Sequence, residues 1–211
     1  MASVVKIDFR GGKQGGTSQV STSALILAAG ASSRMGSPKA LLLYRGETFL
    51  DRLIGSCQLA CADVVVVLGQ HAGEIRAGIR SKARFVQNPD PGRGQLSSLQ
   101  CGLADVPDAA MFVPVDLPAI ESSTIRKLVA AFEANAALIA VPRFDGRHGH
   151  PVCIARPMIE QLLALPSTGE ARDIIRRHRA ETLYVDVDDP GILRDIDTRL
   201  DYKDLLVEMP G

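Results

Sequence analysis

Residues 24–39 place two cations in a loop of small side chains directly behind an apolar run. Ala24-Leu25-Ile26-Leu27-Ala28-Ala29 breaks at Gly30 into Ala31-Ser32-Ser33-Arg34-Met35-Gly36-Ser37-Pro38-Lys39. Backbone N–H groups in such a loop, together with Arg34 and Lys39, can wrap a phosphate chain. The two commoner phosphate loops do not fit. A Walker loop needs Gly, four residues, then Gly-Lys-Ser/Thr. Here five residues separate Gly30 from Gly36, and Lys39 is followed by Ala40. The dinucleotide pattern GxGxxG is missing as well, and Pro38 delays any helix. A plain structural loop is the alternative reading, and the joint presence of Arg34, Gly36 and Lys39 argues against it.

Carboxylates stand in two later segments. Asp116 ends the apolar stretch Met111-Phe112-Val113-Pro114-Val115. Magnesium binds through one or two carboxylates plus substrate phosphates, so Asp116 suits Mg²⁺. Its alternative role is to cap a helix starting near 122, which Ser122 or Ser123 could do instead. Asp195 and Asp197 flank Ile196 and would face one side of an extended segment. Asp197 with Thr198 either caps a helix from 199 or supplies a second metal ligand. Two carboxylates from distant loops, with phosphates between them, make a phosphoryl-transfer arrangement.

Two further loops carry polar chemistry. Asn88-Pro89-Asp90-Pro91-Gly92-Arg93-Gly94 is turn-forming, and Ser97-Ser98 open a helix with free N–H donors. This segment suits a base or ribose edge, or is simply a loop and cap. In Arg143-Phe144-Asp145-Gly146-Arg147-His148-Gly149-His150-Pro151, Asp145-Gly146 reads as a turn. The HxH pair lacks a third zinc ligand. Gly149-His150-Pro151 fixes a rigid backbone ahead of a strand, suited to gripping a second substrate.

These loops need a scaffold. Strand-like runs at 24–28, 64–68, 84–86, 111–115, 138–141, 152–155 and 182–185 alternate with helical stretches near 48–61, 72–80, 96–104, 122–134, 157–164, 170–178 and 199–207. Leu50, Leu53, Ile54 and Cys57 keep the helical spacing. Strand–helix alternation predicts an α/β fold with a mostly parallel sheet covered on both faces, and ligands beyond the carboxyl ends of its strands. Residues 1–22, rich in Gly, Ser, Thr and Gln, read as a flexible leader to a single domain at 23–211. Val4–Ile7 within it could form a short edge strand.

The 211 residues suffice for one substantial core. Lys+Arg and Asp+Glu both number 24, and this zero net charge argues against a general nucleic-acid binder. No apolar run reaches the roughly 18 residues of a membrane span. No charged-then-apolar signal layout opens the chain. Cys57, Cys61, Cys101 and Cys153 sit in apolar surroundings and read as buried thiols. Together these features predict a reduced, cytoplasmic protein.

The combined motifs resemble a known family. Leu27-Ala28-Ala29-Gly30-Ala31-Ser32-Ser33-Arg34-Met35-Gly36 with Lys39, Asn88-Pro89 with Gly94 and Ser97-Ser98, Asp116-Leu117-Pro118, Gly149-His150-Pro151-Val152 and Asp195-Ile196-Asp197-Thr198 are similar to the nucleotidyltransferases that finish the molybdenum cofactor. The cytidylyltransferase (MocA-like) branch of the MobA-like NTP transferases matches best, over residues 23–207. The resemblance implies a three-layer, Rossmann-like nucleotidyltransferase fold with a mostly parallel mixed sheet. It implies Mg²⁺-dependent transfer of CMP from CTP to the phosphate of molybdopterin, with release of pyrophosphate. It places Leu27, Ala28, Ala29, Gly30, Ser33, Arg34, Lys39, Asn88, Gly94, Ser97 and Ser98 around the nucleotide. Arg34, Lys39 and Asp116 become catalytic, Asp116 and Asp197 metal ligands, and Gly149, His150, Pro151 and Asp195 acceptor contacts. Gly169-Glu170-Ala171-Arg172 reads as an acceptor-side loop. Ala28-Ala29-Gly30 goes with CTP in this family, a Gly-Gly start with GTP. Val115 departs from the small or polar residue usual before the aspartate, but the carboxylate is kept. The implied partners are CTP or GTP, a molybdopterin-type acceptor, and a molybdoenzyme or chaperone that takes the product. A guanylyltransferase, a transferase for a sugar or metabolite phosphate, and a non-catalytic nucleotide-binding protein are the alternatives. An NAD-dependent oxidoreductase is disfavoured by the missing GxGxxG.

Overall fold

In the computed structural model, residues 21–32, 35–166 and 168–207 are described. The leader up to residue 20, with the edge strand considered for Val4–Ile7, lies outside them, as do Ser33 and Arg34. Ten strands occur among the described residues: β1 Thr22–Ala28, β2 Leu43–Tyr44, β3 Glu47–Thr48, β4 Asp63–Leu68, β5 Arg84–Gln87, β6 Ala109–Pro114, β7 Ile139–Phe144, β8 Arg147–His148, β9 Val152–Ala155 and β10 Thr182–Asp186. The helices are α1 Phe49–Gln58, α2 Ala72–Gly78, α3 Gln95–Leu103, α4 Ser122–Ala134, α5 Arg156–Leu163, α6 Ala171–Arg177 and α7 Arg199–Val207.

The main sheet runs β10-β7-β9-β6-β1-β4-β5, with β8 added to β7. β9 is antiparallel to both β6 and β7, and β8 to β7; the other pairings are parallel. Helices cover both faces, as the alternating pattern predicts. One face packs Phe49, Leu53, Ile125, Phe132 and Leu205 of α1, α4 and α7 onto Ile26, Val66 and Val113. The other packs Leu99, Leu103, Met158 and Leu162 of α3 and α5 onto Leu25, Val67 and Ala110. Residues 64–68 of β4 are buried throughout, which explains their unbroken apolar run.

The cysteine reading holds in part: Cys57 and Cys153 are buried free thiols, and Cys61 and Cys101 are partly exposed. Burial pushes the Cys61 thiol up to about 12, with the nearby Glu133 charge adding to the shift.

Two local expectations change. β1 takes in Thr22, one residue earlier than the boundary drawn from composition. Thr22 pairs in register with Ala109 and donates its hydroxyl to Glu133 at 2.7 Å. The start of α4 is capped by neither Asp116 nor Ser122 or Ser123. Buried Asp189, from far along the chain, braces this end of the helix instead: its Oδ2 accepts from Glu121 N at 2.9 Å and Thr124 Oγ1 at 2.7 Å, and its Oδ1 from Gly191 N at 2.8 Å. Asp116 is thereby left for other work.

The Asp145-Gly146 turn forms as read, with φ of 47° and 71°, the left-handed pair that closes a two-residue hairpin between β7 and β8. The chain then turns through a cis His150–Pro151 bond into β9. Gly149 passes so close to the 189–196 segment that a Cβ there would sit 2.0 Å from Ile192 O. Gly149→Ala is therefore expected to displace that segment and cost about 1–3 kcal/mol, as overpacking does, measured by urea unfolding.

Candidate active site

Strand order reverses at β1, which has β4 on one side and β6 on the other. The carboxyl ends of β1 and β6 flank the crevice at that reversal, where an open α/β sheet binds its ligand. Two backbone hydrogen bonds lace three segments together there. Val115 N donates to Leu27 O at 3.1 Å, and Ile196 N donates to Asp116 O at 2.9 Å. With Ile196 fully buried, the flanking Asp195 and Asp197 are held at the mouth.

The loop after β1 is fastened from within. Lys39 N donates to Ser32 Oγ at 3.0 Å, and Met35 N donates to Ser32 O at 2.9 Å. From this fixed backbone the Lys39 ammonium reaches two carboxylates, Asp116 Oδ2 at 3.1 Å and Asp197 Oδ1 at 2.6 Å. The Lys39 side chain is 13% exposed, Asp116 24% and Asp197 54%, so the ammonium is the most enclosed of the three. Burial works to lower the lysine's pKa, but hydrogen bonding and charge from Asp197 and Asp116 outweigh it and hold the value above its ordinary range. The Asp195 carboxyl is shifted upward as well. Burial raises its carboxyl pKa, the charges of Asp116 and Asp197 add to that, and Lys39 offsets part of it.

Asp197 does not cap α7. Thr198 and Asp201 do so reciprocally: Asp201 Oδ2 accepts from Thr198 N at 2.7 Å and Asp197 N at 3.0 Å, while Asp201 N donates to Thr198 Oγ1 at 3.2 Å. The Asp197 carboxylate stays on Lys39.

The expected nucleotide residues fall into distinct groups. Leu27, Ala28 and Ala29 are buried at the end of β1, and Gly30 is exposed at the mouth. Asn88, Ser97 and Ser98 are buried and bonded to one another. Asn88 Nδ2 donates to Ser97 Oγ at 2.9 Å and Ser98 Oγ at 3.0 Å, and Ser97 Oγ donates to Gly94 O at 2.8 Å. These side chains frame the loop, and Gly94, at φ +89°, is exposed at its surface together with Gly92, Arg93 and Gln95. That conformation favours glycine.

Around the residues expected to contact the acceptor, a cavity of about 540 Å³ opens, with Asp195 in its wall. Phe112, Gly149, His150, Tyr184, Ile192 and Asp195 line it, together with Ala171 and Arg172 of the predicted acceptor-side loop. The His150 ring meets Phe112 edge-on at 5.9 Å, and its Nδ1 is buried with no hydrogen-bond partner. Burial lowers the His150 pKa, only partly countered by the Asp116 charge, so the ring is held neutral. His148 turns to Tyr184 instead, with ring centroids 5.4 Å apart. Among the described residues, no three His, Cys, Asp or Glu are placed to hold a metal by themselves.

Sequence reasoning missed three contributions. Ser32, which fixes Lys39, carried no signal beyond its place in a small-residue loop. Asp189 stands in Asp188-Asp189-Pro190-Gly191, a turn sequence that could have been flagged. Arg176 and Arg179 line the cavity with Arg147 and Arg172, yet in sequence the first two carry no signal beyond their charge.

A mostly parallel sheet with a cation and carboxylates at its switch point is an arrangement suited to a phosphate-handling α/β domain. The chain belongs to the MobA-like NTP transferase family, whose MobA-like NTP transferase domain matches residues 24–182. It is 28% identical to the molybdenum cofactor cytidylyltransferase of Escherichia coli (strain K12), over 84% of this chain and 92% of that relative. It is 31% identical to the nicotine blue oxidoreductase of Paenarthrobacter nicotinovorans, over 82% and 91%. The fold matches the crystal structure of Rv0371C from Mycobacterium tuberculosis H37Rv in complex with manganese, with a TM-score of 0.71 and 26% identity over 90% of this chain and 100% of that one. Among the described residues, no helix is long and apolar enough to cross a membrane.

The neutral His150 gives a pH test. Between its ordinary value of 6.5 and its lower folded value, the unfolded chain binds a proton there that the folded chain does not. Stability therefore falls as pH drops through that window. His150→Gln is expected to flatten this fall, read from urea midpoints at pH 7.5 and about 5.5.

Proposed function

We propose that this chain transfers CMP from CTP to the phosphate of a molybdopterin-type acceptor, forming molybdopterin cytosine dinucleotide and releasing pyrophosphate. The observation that carries the reading is the convergence of Lys39, Asp116 and Asp197 at the sheet's switch point, beside a cavity with an unpartnered His150 Nδ1. The 28% identity to a cytidylyltransferase over most of both chains supports it, as does Ala28-Ala29-Gly30 in the first loop.

The residues present fit a divalent cation, since two hard carboxylate oxygens from separate loops already converge on one positive charge. Asp116 and Asp197 would hold Mg²⁺, which, when bound, draws charge off the triphosphate. The rest of the work belongs to the chain. A phosphate oxygen of the acceptor attacks the α-phosphorus of CTP. The bond from that phosphorus to the bridging oxygen breaks, and pyrophosphate leaves with the electron pair. The attacking oxygen is already anionic, so no strong base is required. Lys39, with Arg34, supplies positive charge against the triphosphate, and positioning carries much of the rate. His150 and the arginines of the cavity hold the acceptor, and Asp195 stands between the two substrates.

The 31% identity to an oxidoreductase is the observation that favours a second reading. The missing GxGxxG and the cation–carboxylate cluster favour transfer. One assay separates them: pyrophosphate release with each NTP, with and without molybdopterin, beside NAD(P)H oxidation. The expected result is CTP- and molybdopterin-dependent release, and no NAD(P)H oxidation. Release with GTP alone among the NTPs would point to the guanylyl alternative, and a different phosphate acceptor would move the reading to another metabolite. Asp116→Asn should lower the rate by about two orders of magnitude or more with the fold retained. Ala29→Gly should shift preference from CTP towards GTP, and an unchanged ratio of kcat/KM values would remove that argument.

A further inference from the structure

We propose that Lys39 fills the cation site of the nucleotide-free protein, so that a divalent cation enters with the nucleotide rather than ahead of it. The inference deepens the reading above and rests on it for the identity of the nucleotide alone. Its basis is geometric. The Lys39 ammonium lies 3.1 Å from Asp116 Oδ2 and 2.6 Å from Asp197 Oδ1, on the two carboxylates proposed above for the cation. An ammonium and a divalent ion cannot share those oxygens at such distances without strong repulsion.

The backbone beneath is set up for exchange. Lys39 N is fastened to Ser32 Oγ at 3.0 Å, and Pro38 fixes the preceding turn. Only the four-carbon stem has to move, and a lysine head is a point charge that rotates easily between anionic partners. Before nucleotide arrives, the two carboxylates are its best partners. Triphosphate oxygens offer a denser negative charge, and the ammonium transfers to them. The carboxylates are then freed just as phosphate oxygens become available to complete the metal's shell. Metal and nucleotide therefore bind with positive coupling, and the coupling is reciprocal.

The test is Mn²⁺ binding to the full chain, followed by electron paramagnetic resonance of the free ion, with and without CTP. Lys39→Met keeps the stem and removes the charge. Without nucleotide, this variant is expected to bind Mn²⁺ about tenfold more tightly than wild type, and to gain less from added CTP. Adding Asp116→Asn to it should abolish the gain, which ties the ion to these carboxylates. Lys39→Gln gives the same readout if the methionine variant folds poorly. Equal or weaker Mn²⁺ binding by both lysine variants without nucleotide overturns the proposal. Wild-type binding that is equally tight with and without CTP also overturns it. The nucleotide-free comparison needs no turnover, so it stands or falls apart from the transferase reading, which the pyrophosphate assay decides.

Discussion

A single ammonium group, held between two carboxylates that lie 77 and 158 residues further along the chain, gathers the candidate site into one place. Its position is not a matter of side chains alone. Leu27 O and Asp116 O each accept a backbone hydrogen bond from the next segment, so the ends of β1, β6 and the 195–197 stretch are stitched edge to edge. Lys39 and Asp116 are thus brought together by sheet topology, and Asp197 by the buried anchor Ile196. Three like-charged carboxyls, Asp116, Asp195 and Asp197, would repel one another at this mouth. The lysine offsets that repulsion; at Asp195, burial first and then the charges of Asp116 and Asp197 still raise the carboxyl pKa.

The walls of the 540 Å³ cavity rest on the 189–196 segment. Asp189 ties it to the start of α4, Gly149 lets the β8–β9 connection pass against it, and His150 N donates to Ile192 O at 3.1 Å. The same segment separates the 540 Å³ cavity from a second one of about 620 Å³ that includes Tyr44, Arg45 and Arg194, and Asp195 borders both.

Much of this was legible in the sequence because it follows from periodicity and strand ends. β4 announced itself by its unbroken β-branched run, and Asp116 by its place at the end of an apolar strand. The antiparallel direction of β9 was not legible, since an alternating or apolar pattern reads the same in both directions. The β2–β3 hairpin was too short to show periodicity, although Arg45 and Gly46 at its turn take φ of 51° and 82°. Asn88, Ser97 and Ser98 were recognisable as a polar cluster, but not as one that satisfies itself. Burial decides that, and one sequence does not display burial. Likewise Lys39 was visible as a cation for phosphate, whereas its resting place between Asp116 and Asp197 follows from which anions are nearest in three dimensions.

A crystal structure of the protein with CTP, a non-reactive acceptor phosphate and Mg²⁺ tests the central claim most directly. The expected result is the Lys39 ammonium on triphosphate oxygens, the metal on Asp116 and Asp197, and the acceptor phosphate against His150. A lysine still seated between the two carboxylates, with the metal held elsewhere, would contradict it.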